Sequence, residues 1–309
     1  MSRFISVSIA VLLFLAGLGR ADASPQFERL EIADPGRQPV EIGVWSPEGG
    51  GGPRPLVVIS HGTGGDYRSH ADTAEALARA GFVVAALTHS GDNWRDRSMV
   101  LAVWQRPRQL RLLVDYMLGG WAGRGRIDPA RVGAFGFSAG GFTVLVAGGG
   151  VPELGRIGDH CRQHPDFFDC RLMGSVPIEL LPRTEWVHDR RIRAIVVAAP
   201  ALAFTFGRPG LAGVRSPVQL WAGGADQILP AEYYAEAVRR DLPIRPEYRR
   251  VAEATHFDFL KPCQPVPARQ NPELCASRPG FDRVAFHARF NREVADFLRR
   301  RLRPQRRLR

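Results

Sequence analysis

The chain has 309 residues, 45% of them apolar and 24% charged, enough for one large α/β domain and too apolar for global disorder. Its formal charge is +11, but residues 1–23 hold +1 of this and the seven arginines of 299–309 hold +7, leaving +3 for 24–298. A mildly basic body without aromatic–basic interleaving excludes a nucleic-acid binder. The basic end, 304–309, reads as a solvated tail able to make weak contact with an anionic surface.

In chain order, Arg3 precedes an apolar run over 5–18, and Ala21-Asp22-Ala23 then supplies the small residues that a signal peptidase reads. The run is shorter than the roughly 20 apolar residues of a membrane span. Residues 1–23 are therefore expected to be a signal peptide, with Ser24 as the mature start and the periplasm or exterior as the destination. Residues 24–303 are expected to form a single domain.

Segments 27–33 and 40–46 alternate as strands around an Asp34-Pro35-Gly36 turn. The run 56–59 is continuously apolar, as in a parallel strand covered on both faces. A helix is expected over 70–80, a strand over 82–87 and a helix over 107–118, where Leu110, Leu113, Val114 and Met117 hold helical spacing. Strands follow at 132–137, 192–198, 218–222 and 247–251. Helices follow at 139–147, 231–240 and 281–302. This alternation predicts an α/β fold, a mostly parallel sheet of about eight strands with helices on both faces. Residues 150–191 break the rhythm with no clean period, and are expected to form an excursion, or lid, at the carboxyl edge of the sheet over the site.

The four cysteines, Cys161, Cys170, Cys263 and Cys275, are even in number in a chain expected to be exported. Two disulfides are expected. Three pairings are possible, and the local ones, Cys161–Cys170 and Cys263–Cys275, close short loops. The spacings are wide for zinc. His160, Cys161 and His164 could suggest a metal, but Cys170 offers a simpler partner. No metal and no cofactor is expected.

Gly136-Phe137-Ser138-Ala139-Gly140 matches G-x-S-x-G. The pattern gains force from its context, a predicted strand ending at Phe137 and a predicted helix starting at Ala139. Glycines at 136 and 140 let strand and helix approach closely, and Ser138 stands at the strand end. A serine hydroxyl needs a base to attack at neutral pH. Of eight histidines, His256 lies just beyond the last predicted strand and follows the serine, as the order Ser…Asp…His requires. His61 and His89 end earlier strands and do not fit that order. His70 and His287 read as surface or helix residues.

Asp226 follows the strand 218–222 through three small residues and is the candidate to orient His256. Asp258 is the rival, but it is only two residues from the histidine. Two backbone N–H groups are needed for the oxyanion. Ala139 N–H, at a helix start, is one candidate, and Thr63 N–H, in the Gly-rich turn His61-Gly62-Thr63-Gly64-Gly65, is the other. Trp94 and Tyr67, both in loops after strands, are candidates to line an acyl pocket.

Ser60-His61-Gly62-Thr63-Gly64-Gly65, Gly136-Phe137-Ser138-Ala139-Gly140-Gly141, Asp226 and His256 together resemble the dienelactone-hydrolase-like branch of α/β hydrolases, close to the platelet-activating-factor acetylhydrolases and bacterial polyester hydrolases. The resemblance spans roughly 27–300. It implies an α/β-hydrolase fold with an eight-stranded sheet, ester hydrolysis through an acyl-enzyme, and Thr63 and Ala139 as oxyanion donors. Ser138 stands where dienelactone hydrolases carry cysteine. Thr63 and Ala139 stand where polyester hydrolases usually carry an aromatic residue.

The expected activity is serine-dependent hydrolysis of a small-molecule or lipid carboxylic ester. Amide or peptide cleavage, or phospholipid acyl hydrolysis, would use the same residues, and a panel of amides beside esters separates them. A binding protein that merely keeps the fold is the third class. It would leave Ser138 unlabelled by a fluorophosphonate.

Overall fold

The computed structural model describes residues 24–49, 52–173, 185–264 and 271–304. The expected signal peptide and all of the tail but Pro304 lie outside the described residues. β1 (Gln26–Ile32) and β2 (Val40–Ser46) pair antiparallel, Gln26 opposite Ser46, with Gly36 at φ 73° in the turn between them. β3 (Arg54–Ser60) is followed by α1 (Ala71–Arg79), β4 (Val83–Leu87) and α2 (Gln105–Gly119). β5 (Ile127–Phe137) runs into α3 (Ala139–Ala147), and the excursion then forms α4 (Arg156–Gln163) and α5 (Phe168–Met173). β6 (Ile192–Ala198), α6 (Gly207–Leu211), β7 (Val218–Gly223), α7 (Ala235–Asp241) and β8 (Glu247–Val251) complete the sheet. A short α8 (Pro272–Cys275) precedes the long α9 (Arg283–Arg301).

The eight strands form one sheet in the order β1-β2-β4-β3-β5-β6-β7-β8. β2 pairs antiparallel with β1 and β4, and every other neighbouring pair is parallel. This is the mixed, mostly parallel sheet of an α/β-hydrolase fold.

Strand side chains alternate between two cores. In β3, Leu56 and Val58 face a cluster built with Leu110, Leu113 and Val114 of α2 and Phe142 and Leu145 of α3. Val57 and Ile59 face the other cluster, with Leu77 of α1 and Phe286, Phe290 and Phe297 of α9. Each such side chain removed from water is worth about 1.5–3 kcal/mol. The edge strand β8 is charged instead. Glu247 bonds Arg300 at 2.8 Å and Arg301 at 2.9 Å, which ties α9 to the edge and blunts it against pairing with another chain.

Several elements differ from the sequence reading, among them the excursion, α7 and β5. The excursion holds two helices where no period was visible, because eight and six residues are too short to display one. α7 begins at Ala235 and not near 231. Tyr234 leaves the helical region (φ −113°, ψ −82°) and buries its ring completely against Phe204 and His160. β5 begins at Ile127, where Arg54 pairs with it ahead of a register shift. α9 is capped by Asp282, which accepts from Ala285 N–H at 2.9 Å.

His70 is not a surface residue. It caps α1 with its ring 1% exposed, edge-on to Phe135 and Phe137 at 5.0 and 5.4 Å. Among the described residues neither ring nitrogen has a partner. Burial pulls its pKa down to about 3. The unfolded chain therefore takes up a proton below about pH 6.5 that the folded chain refuses, so the stability tied to this residue falls as pH falls through that window. Replacing it with an apolar ring removes the linkage. The expected outcome for His70→Phe is a stability change, relative to the parent chain, that is about 2 kcal/mol more favourable at pH 5 than at pH 7. Denaturant unfolding at the two pH values measures it, and the change in slope is read independently of any repacking cost.

Candidate active site

The chain turns from β5 into α3 at one residue. Ser138 sits at φ 57°, ψ −120°, a conformation that costs a side-chain-bearing residue about 1–3 kcal/mol. The glycines around it have no room for a side chain. A Cβ on Gly136 would lie 2.0 Å from the Gly140 carbonyl oxygen, and one on Gly140 would lie 1.9 Å from the Ser60 oxygen. Ser138 N–H still donates to Ala198 O on β6 at 2.9 Å, so the turn is anchored to the sheet to its last residue.

His256 follows β8, immediately ahead of the 3₁₀ turn Phe257–Phe259. Its Nε2 lies 3.1 Å from Ser138 Oγ, and its Nδ1 lies 2.8 Å from Asp226 Oδ2. With a carboxylate at Nδ1, the proton belongs there, which leaves Nε2 free to accept from the serine hydroxyl. Asp226 is fixed in turn, its Oδ1 accepting from Ile228 N–H at 2.9 Å and Leu229 N–H at 2.8 Å. All three side chains are buried. Asp258 does not compete for the ring. Its Oδ2 accepts from Thr255 N–H and Oγ1–H, and its Oδ1 accepts from Ser277.

The loop carrying His256 is gripped from below by α9. Arg283 donates to the carbonyls of Phe257, Leu260 and Leu274, and His287 Nε2 donates to Asp258 O at 2.8 Å. Of the three pairings open to the cysteines, the local one is formed, with Cys161–Cys170 between α4 and α5 and Cys263–Cys275 just beyond this loop. Cys161 is thereby removed from any metal-ligating set with His160 and His164.

The two candidate N–H donors share a backbone logic. In a trans peptide the N–H points away from the preceding carbonyl. The Gly62 carbonyl accepts from His61 Nδ1 at 2.6 Å and from Gly65 N–H at 3.1 Å. Thr63 N–H, in the same peptide, is aimed to the opposite side. The Ser138 carbonyl accepts from Gly141, Phe142 and Ala201 N–H at 2.8, 3.2 and 3.0 Å, which aims Ala139 N–H the same way relative to its own peptide. Among the described residues no acceptor meets either N–H.

The histidines that end β3 and β4 act as spacers. His61 Nε2 accepts from His89 N–H at 2.9 Å, which fixes the Nδ1–H form that reaches Gly62 O. Burial, reinforced by the Arg106 charge, pulls its pKa down to about 4. His89 bridges Ser60 Oγ and Gln109 Oε1, each at 2.8 Å, and burial holds its pKa well below the usual value.

Sequence reasoning passed over Asp169, which lies on no strand end. It is 3% exposed on α5, and its Oδ2 accepts from Leu202 N–H at 2.8 Å in the loop after β6. Burial pushes its pKa up to about 6, with Asp226 adding to the rise and the Leu202 N–H and His256 opposing it. The excursion thus reaches the loop that also holds the Ser138 carbonyl. The neighbouring Cys170 was the one sequence signal for this, since a disulfide there holds α5 in place.

Tyr67 is 6% exposed and packs with Trp45 and Phe27 on β2 and β1, in space left by Gly43, where a Cβ would lie 2.5 Å from the tyrosine ring. It is a buried core residue. Trp94 is 57% exposed, with the Arg95 guanidinium 4.7 Å above its ring.

No protein-family model matches the chain, and no curated protein matches its sequence. Among solved structures it is similar to a ferulic acid esterase from Streptomyces cinnamoneus, at 20% identity over 92% of each chain, with a TM-score of 0.62. This is a likeness of fold. With 1005 solved chains matching, the architecture is too widely shared to name a reaction, which must come from the site.

The close approach at the turn gives a stability test. Gly140→Ala sets a Cβ against the Ser60 backbone, which cannot yield without disturbing β3. It is expected to cost more than about 3 kcal/mol, or to prevent folding. Gly125→Ala meets nothing within 4 Å and is expected to stay within about 0.5 kcal/mol of the parent. Thermal unfolding of the two variants beside the parent measures the contrast.

Proposed function

We propose that the chain is an exported serine hydrolase that cleaves carboxylic esters through an acyl-enzyme. The observation that carries this reading is the hydrogen-bonded line from Ser138 Oγ through His256 to Asp226, together with the N–H groups of Thr63 and Ala139, which meet no acceptor among the described residues.

In this reading Ser138 Oγ bonds to the ester carbonyl carbon while His256 Nε2 takes the hydroxyl proton. The carbonyl oxygen gains the negative charge and is held by Thr63 N–H and Ala139 N–H, the second at the positive end of α3. Asp226 stabilises the imidazolium. As the tetrahedral centre collapses, the bond to the alkoxy oxygen breaks, and His256 gives that oxygen its proton. A water then repeats the cycle, with His256 accepting its proton and returning it to Ser138 as the acid leaves. Each oxyanion donor is worth about 10²–10³ in rate.

Ester over amide is favoured because the described residues add only the short helices α4 and α5 to the hydrolase core. The excursion over 150–191 is proposed to border the site, supported by the contact of Asp169 with Leu202. Export by residues 1–23 is supported by the two disulfides, which suit an oxidising compartment. The Arg-rich end is proposed to make only a weak anionic contact. The ferulic acid esterase similarity adds feruloyl esters to the substrates worth assaying, beside short acyl chains and phospholipids.

Ser138→Ala is expected to abolish fluorophosphonate labelling and to lower hydrolysis of p-nitrophenyl acetate or butyrate by at least about 10³-fold, and Asp226→Asn to lower it by about 10⁴-fold. Full activity in Ser138→Ala would overturn the assignment. Absence of labelling in the folded parent chain would favour a binding protein.

A further inference from the structure

Arg106 is 2% exposed in the first turn of α2, on a helix whose other buried positions include Leu110, Leu113, Val114 and Met117. A buried guanidinium is costly unless each of its donors is engaged. Here its three nitrogens reach three different segments. Nη1 donates to Asp92 Oδ2 at 2.5 Å, Nε donates to Thr143 Oγ1 at 3.1 Å, and Nη2 donates to the His61 carbonyl.

Both ends of this fork lead to an oxyanion donor. On one side the His61 carbonyl opens the turn that presents Thr63, and Asp92 Oδ1 accepts from Gly64 N–H at 3.0 Å, holding the turn's far end. On the other side Thr143 Oγ1 donates to Ala139 O at 2.7 Å, in the residue whose N–H is the second donor. Among the described residues, Arg106 alone spans the two through one rigid planar group. The fixed geometry of a guanidinium suits it to setting a distance, where a flexible lysine would not.

We propose that Arg106 is a positioning residue that sets the separation of the Thr63 and Ala139 N–H groups, acting through His61 on one side and Thr143 on the other. The proposal rests on the ester-hydrolase reading above. Burial pulls the Arg106 pKa down and the Asp92 carboxylate opposes it, so the charge is kept where a fixed fork needs it. A simple structural ion pair would require Asp92 alone. The remaining donors of such a pair need acceptors of any origin, whereas here they end on the two segments that carry Thr63 and Ala139.

The test uses substitutions that break the span at either end. Thr143→Val keeps the side-chain shape and removes the hydroxyl, Thr143→Ser restores it, and Arg106→Lys keeps the charge without the fork. Active sites are counted by fluorophosphonate titration, so that misfolded protein does not enter. For each variant, kcat and KM are measured on p-nitrophenyl butyrate, together with the inhibition constant of a trifluoromethyl ketone, whose tetrahedral adduct places an oxyanion between the two donors. Thr143→Val and Arg106→Lys are expected to lower kcat per titrated site about 10–100-fold with KM within about twofold, and to weaken the ketone by the same factor. Thr143→Ser is expected to recover most of the loss.

Unchanged kcat per titrated site and unchanged ketone affinity, with only a lower melting temperature, would overturn the proposal and leave Arg106 a structural ion pair. A parent chain that forms no fluorophosphonate adduct would overturn the hydrolase reading and this proposal together.

Discussion

Everything around the site depends on one residue's worth of backbone. The strand must stop and the helix must start at Ser138, and a positive φ there is what allows it. The sharpness of the turn brings α3 against the end of β3, so Gly140 nearly touches the Ser60 carbonyl and Gly136 nearly touches Gly140. It also brings Gly141 against Pro200, where a Cβ would lie 2.9 Å from the proline Cα. The strained serine is held because its own N–H stays on β6 and its carbonyl is shared by three donors. Local strain of this kind persists only where the surroundings over-determine it.

The parts of the molecule that were legible in the sequence are those where one residue type has one structural use. The apolar run of β3 suited a strand covered on both faces, and the glycines at 136 and 140 suited a close approach of strand and helix. The positions of Asp226 and His256 at successive strand ends followed from chain order, and the structure sets their side chains in hydrogen-bonding line with Ser138. The burial of Tyr67 was not legible because the space its ring fills is made by Gly43, on a strand whose neighbours the sequence does not reveal. Arg106 and Asp169 were illegible for a related reason. Nothing in the sequence marks either charged side chain as buried, and only the fold supplies the partners, 45 residues away for the His61 carbonyl and 33 for Leu202.

Electrostatically the site is built from charges that are fixed and histidines that are not charged. His61, His70 and His89 are all held neutral by burial, while Asp92 and Arg106 form an ion pair with side chains 4% and 2% exposed. A neutral imidazole is useful as a spacer because it both donates and accepts, so one ring can set two backbone groups at once. The arrangement leaves His256 as the histidine placed between a carboxylate and a hydroxyl. The division has a consequence in acid. The spacers resist protonation far below the usual histidine range, and the free energy of that resistance is drawn from the stability of the whole fold.

The pinned carbonyls of Gly62 and Ser138 bear on how freely such a site can vary. Because the groups aimed outward are main-chain N–H, any residue but proline, which lacks that hydrogen, can supply them at 63 and 139. What has to be retained is on the reverse side of each peptide, in the ring of His61 and in the backbone that meets the Ser138 oxygen. The identities that matter are thus displaced by a residue or two from the atoms they serve. Two chains can diverge at the visible positions and still present the same pair of donors, and kinship between them is better sought in the atoms behind the peptide than in the side chains in front of it.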